Sequence, residues 1–121
     1  MNSNVIDDIK RLSFENYIWV IFIVLSILNI IGDNNEISYL ETNDKTYEES
    51  SNNIFKFVLI ITFFIYIYFL ARNYNAYVNA SLDEKRLYFI KLLGSSFFIA
   101  GIICLIYFQN KQDDFTGSPA I

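Results

Sequence analysis

Three apolar blocks, residues 14–31, 54–71 and 87–108, alternate with polar stretches along the chain. The third holds a single charge, Lys91, and as a helix it would reach about 33 Å, enough to cross a hydrocarbon layer of about 30 Å. The second is uncharged once past Lys56. The first is uninterrupted only over residues 17–31, about 22 Å, and gains length by extending back to Phe14, with Tyr17 and Trp19 at headgroup level. Helices of a soluble bundle need a polar face toward water, and these blocks have none. They predict three membrane-spanning helices. A cleaved leader would end in small residues at spacing two, whereas block one runs into Asn29, Ile30, Ile31, Gly32 and Asp33.

The polar stretches predict the connections. In residues 4–12, Val5, Ile9 and Leu12 recur at helical spacing among Asp7, Asp8, Lys10 and Arg11, the pattern of a short amphipathic helix at the interface. Residues 32–53 carry Asp33, Glu36, Glu41, Asp44, Glu48 and Glu49 against Lys45 and read as an acidic surface loop without EF-hand spacing. After block two, Leu70, Tyr74, Tyr77 and Val78 continue the helical period to about residue 79. Ser81 and Glu84 have the form of a capping box, which starts the third helix at Leu82 and carries it to about 109. Helices two and three then form a hairpin whose tip stands in water. The tail, 110–121, reads as irregular, with residues 115–121 docked against the acidic loop.

The expected fold is an all-α, three-span integral membrane domain over residues 1–121, with a cytoplasmic helical hairpin extension and a short N-terminal amphipathic helix. Composition agrees: 54% hydrophobic residues with 4 Gly and 1 Pro favour helices over a sandwich or barrel. A net charge of −4 without a basic stripe argues against nucleic acid. One cysteine allows no intrachain disulfide, and the absence of histidine removes the commonest general base and metal ligand. With no glycine-rich phosphate loop and no paired nucleophile and base, the chain is read as neither enzyme nor cofactor protein. Its richness in Ile, Asn, Lys, Phe and Tyr is what an AT-rich bacterial or phage genome encodes.

Helices in lipid associate through close packing and polar contacts. Helix three offers Gly94 and Gly101 on one face and Ser96, Ala100 and Cys104 on nearly the opposite one, with Ser95 between, so it is expected to touch two neighbours and form the packing centre. Tyr66 of helix two lies at the depth of Ser95 and Ser96, and a hydrogen bond there would contribute about 0.6–2 kcal/mol. Asn29 falls at the level of Gly101 and Cys104. Thr62, Tyr66, Asn73 and Tyr77 form a polar seam along helix two. Arg72, Tyr74, Tyr77, Lys85 and Arg86 could contact headgroups or a partner.

Lys10, Arg11, Arg72, Lys85, Arg86 and Lys91 flank one side of the spans, and Lys45, Lys56 and Lys111 the other. The positive-inside bias therefore puts the N-terminus and hairpin tip in the cytoplasm and the acidic loop and C-terminus outside a multi-pass cell-membrane protein. The expected function is binding, as an accessory subunit of another membrane protein or as a self-assembling homo-oligomer in the bilayer. A holin-like or small-channel pore former and an immunity-type membrane protein are the alternatives.

Overall fold

The computed structural model describes residues 3–112 and 117–119. Three antiparallel helices carry the described fold: α1 (Ser3–Thr42), α2 (Lys45–Asn79) and α3 (Lys85–Lys111). At 1.5 Å per residue they are about 60, 52 and 40 Å long. All three are long and apolar enough to cross a membrane. α2 lies in the middle, packed against α1 on one side and α3 on the other, while α1 and α3 make no backbone approach to each other. Helix three was expected to be the packing centre; helix two is.

The acidic stretch 32–53 is not a loop. α1 continues to Thr42, the chain reverses at Asn43 and Asp44, and α2 starts at Lys45. Asn43 takes φ 58°, the left-handed conformation that ends helices and that Asn tolerates better than most residues. Its amide donates to Tyr39 O at 2.7 Å. Asp44 caps α2, its Oδ1 accepting from the Thr46 amide at 3.0 Å and the Thr46 hydroxyl at 2.8 Å. These bonds hold the Asp44 carboxyl below its ordinary value. The two arms stay helical because they pack on each other: Phe55 is fully buried and its ring lies over Gly32, while Asn35 Nδ2 donates to Ser50 Oγ at 3.0 Å.

Residues 4–12 likewise form no separate helix, being the opening turns of α1. The capping box at Ser81 does not form. The Glu84 amide donates to the backbone carbonyl of Ser81 at 3.1 Å, where a capping box would use its hydroxyl, and the helix begins at Lys85 instead of Leu82. Lys85 Nζ turns back to the end of α2, donating to Tyr77 O at 3.3 Å and Val78 O at 3.1 Å, which satisfies two terminal carbonyls. Of the segment expected to dock on the acidic stretch, Gly117 donates its amide to Glu36 Oε2 at 2.6 Å; residues 115, 116, 120 and 121 lie outside the described residues.

The main apolar core lies between α1 and α2, where Ile18, Leu25, Val58 and Ile65 are buried among Phe22, Leu28, Ile54, Ile61, Tyr68 and Phe69. α3 buries only Ile102 among its apolar residues. Within the most apolar window of each helix, 17%, 28% and 11% of residues are buried for α1, α2 and α3. The apolar surface therefore faces outward on every helix. Trp19, Val20, Ile23 and Ile30 of α1, Phe64 of α2, and Phe97, Phe98 and Tyr107 of α3 are all more than half exposed.

Candidate functional site

The charge-free stretches of the three helices are level with one another. α1 has no charge between Glu15 and Asp33, α2 none between Lys56 and Arg72, and α3 none between Lys91 and Lys111. Each spans about 22–28 Å as helix. Glu15 meets Arg72, Asn73 meets Ser95, and Gln109 meets Asn52, so the ends of the stretches coincide in space. A polar layer closes each end of this apolar band.

The first layer is a connected network that joins all three helices. Glu15, on α1, is buried with its carboxylate 2.7 Å from Arg72 Nη1 on α2. Its other oxygen accepts from the Tyr68 hydroxyl at 3.1 Å and lies 4.0 Å from Arg11 Nη1. Arg72 also donates from Nε and Nη2 to Asn73 Oδ1, at 3.3 and 3.2 Å, and its guanidinium lies 4.8 Å from the Phe69 ring centre. Asn73 Nδ2 donates to Ser95 Oγ on α3. A buried charge pair holds its geometry only when its remaining donors and acceptors are also met. Here Tyr68 and Asn73 meet them.

The second layer, at the acidic-turn end, is less complete. Gln109 Nε2 donates to Asn52 Oδ1 at 2.8 Å, which ties α3 to α2. Gln109 Oε1, Glu36 Oε1, Ser51 Oγ and Asn29 Oδ1 are buried without a hydrogen-bond partner. Glu36 lies past the apolar band, and its burial, with Asp33 and Glu48 nearby, pushes its carboxyl above the ordinary value against the opposing pull of the Gly117 amide.

The residues singled out from sequence divide sharply. Ser95 is in the network, but its partner is Asn73 and not Tyr66; the Tyr66 ring sits between Phe22, at 6.5 Å, and Phe98, at 5.2 Å. Ser96 returns its hydroxyl to Leu92 O of its own helix at 3.1 Å. Gly94 and Gly101 have nothing within 4 Å of where a Cβ would stand, and Ser96, Ala100 and Cys104 are exposed, so neither expected small-residue face of α3 packs on a neighbour among the described residues. Asn29 makes no hydrogen bond to Cys104 or the Gly101 backbone, and α1 and α3 make no backbone approach to each other. On the seam, Thr62 bonds its own helix at Val58 O, 2.8 Å away. Of the basic and aromatic cluster, Arg72 is bound to Glu15, and Lys85 caps α2 with its ammonium 5.1 Å from the Tyr77 ring centre. Tyr74 and Arg86 remain exposed.

Glu15, Tyr68, Asn52 and Gln109 were not singled out. Glu15 and Arg72 carried a readable signal: they are the last charge before the uninterrupted run 17–31 and the first after block two. An antiparallel hairpin brings two such positions level. Their opposite signs make them partners.

Among the described residues, no group of three or more potential ligands could hold a metal ion. The fold and its two polar layers define a three-helix antiparallel sheet of helices centred on α2. Comparison with protein-family models, with curated proteins and with solved structures gives no match for the chain.

Proposed function

We propose that the chain is a small multi-pass membrane protein that acts by binding, as an accessory subunit or as a self-assembling component, and not by catalysis. The observation that carries this reading is the one-sided attachment of α3. It leans on α2 alone, and its Gly94 and Gly101 backbone stands open to a neighbour. In lipid, small residues let a second helix approach closely, and no hydrophobic drive is needed to bring it there. A network such as Glu15, Arg72, Asn73 and Ser95 keeps the free face in one orientation.

The same reading puts the N-terminus and the α2–α3 turn in the cytoplasm and the acidic turn and C-terminus outside, from six basic residues against three at the two ends of the band. Purification in mild detergent followed by native mass spectrometry tests the binding role. A retained second membrane chain supports an accessory subunit, and a defined number of copies supports self-assembly. A strictly monomeric protein from the native membrane, with nothing bound, refutes the proposal.

A further inference from the structure

A cleft of about 40 Å³ lies between α2 and α3 at the acidic-turn end of the apolar band, walled by Lys56, Leu59, Ile60, Ile106, Gln109 and Asn110. Its composition is divided by depth. Leu59, Ile60 and Ile106 belong to the charge-free stretches, and Lys56, Gln109 and Asn110 stand at their boundary. Lys56 is half-buried and makes no hydrogen bond or ion pair with any described residue. None of the acidic residues described at this end lines the cleft. Gln109 is 1% exposed, and its Oε1 has no donor although its Nε2 is bound to Asn52.

We infer that this cleft binds the headgroup of a phospholipid carrying both an anionic phosphate and an O–H or N–H donor, as phosphatidylglycerol and phosphatidylethanolamine do. Lys56 takes the phosphate oxygens at the mouth, a charge-assisted contact at the depth where headgroups lie. The hydroxyl or ammonium enters the cleft and, with a shift of the Gln109 amide that uncovers its buried Oε1, donates to that oxygen. One water-sized group occupies about 10–15 Å³ of such volume, so the cleft admits this terminal group while the phosphate stays outside beside Lys56. An acyl chain then continues over Ile60 and Ile106. The apolar wall selects a lipid over a free phosphate ester.

The inference rests on the membrane reading above, and one experiment separates the two. Wild-type protein in a non-ionic detergent is offered equal amounts of phosphatidylglycerol, phosphatidylethanolamine and phosphatidylcholine with matched chains, and bound lipid is read by native mass spectrometry. The first two are expected at about five-fold the retention of phosphatidylcholine, whose quaternary ammonium has no N–H. Lys56→Gln lowers retention of all three by about five-fold, the effect of one basic contact at a headgroup. Gln109→Met brings phosphatidylcholine level with phosphatidylethanolamine, and soluble glycerophosphoglycerol does not compete. Equal retention of phosphatidylcholine by the wild type, an unchanged Lys56→Gln, or competition by the chain-free headgroup overturns the cleft assignment. A chain that stays dissolved and monodisperse without detergent overturns the membrane reading itself.

Discussion

Removing either charge of the Glu15–Arg72 pair should loosen α1 from α2 at the Arg72 end of the band. The two side chains are 6% and 23% exposed and their nearest atoms are 2.7 Å apart. At an effective dielectric near 20, two unit charges at that separation attract by about 6 kcal/mol, most of which offsets the cost of taking them out of water. The net pair is therefore worth little against a neutral replacement, but a lone survivor is left buried. Glu15→Gln should cost about 3 kcal/mol. Arg72→Gln should cost less, because Tyr68 and Arg11 still serve Glu15. The double substitution, which leaves no unpaired charge, should cost no more than Glu15→Gln alone, giving a coupling at least as large as the Arg72→Gln cost. Trp19 is the single tryptophan and stacks on Phe69 at 5.7 Å, so its fluorescence during unfolding of detergent-solubilised protein reports the separation of α1 and α2. Additive single and double costs, with coupling under about 0.5 kcal/mol, would show that the two charges are solvated independently and that the network does not join the helices.

Gly32→Ala places a Cβ 2.5 Å from Phe55 Cε1, and because Phe55 is fully buried the clash should cost about 1–3 kcal/mol in the same unfolding assay, with partial relief from Phe55→Leu. Gly94→Ala and Gly101→Ala meet open space and should stabilise the isolated chain by about 0.5–1 kcal/mol while lowering retention of a partner in native mass spectrometry. Glu36 binds its proton more tightly folded than unfolded, chiefly through burial, so its contribution is greatest at low pH and is lost as pH rises through the raised folded value. Thermal midpoints from pH 4 to 7 should fall more steeply for wild type than for Glu36→Gln. Leu82→Cys in a Cys104→Ser background, at a position 92% exposed in the α2–α3 turn, should react with an impermeant maleimide only from the cytoplasmic face of vesicles; reaction from outside reverses the proposed orientation.

The three helices long and apolar enough to cross a membrane were legible because uncharged runs such as 57–71 declare themselves without any partner. The hairpin arms around Asn43 were not. Residues 32–53 have few apolar positions and many acids, and what keeps them helical is contact between residues far apart in the chain: Gly32 with Phe55, Asn35 with Ser50. Small residues misled in a related way. Those on α3 are numerous but open, whereas Gly32, the glycine that a close approach requires, lay in a stretch read as loop. The capping box failed at the level of atoms, since the Ser81 carbonyl and not its hydroxyl takes the Glu84 amide. Spacing alone cannot tell those two acceptors apart.

The placement of polar contacts explains how so little apolar burial can hold a defined register. α3 is fixed to α2 by Asn73 with Ser95 near one end and Asn52 with Gln109 near the other, and α1 by Glu15 with Arg72 and Asn35 with Ser50 in the same manner. Sliding either helix by one turn, about 5.4 Å, would break both of its clamps together. The apolar side chains between the clamps are thereby released from specifying register. They can remain turned outward, as most on α3 are, without loss of order in the hairpin. A free face held in fixed register by its ends is a surface that a second helix can recognise, and α3, clamped on one side only and with the smallest buried share of the three apolar windows, presents such a surface.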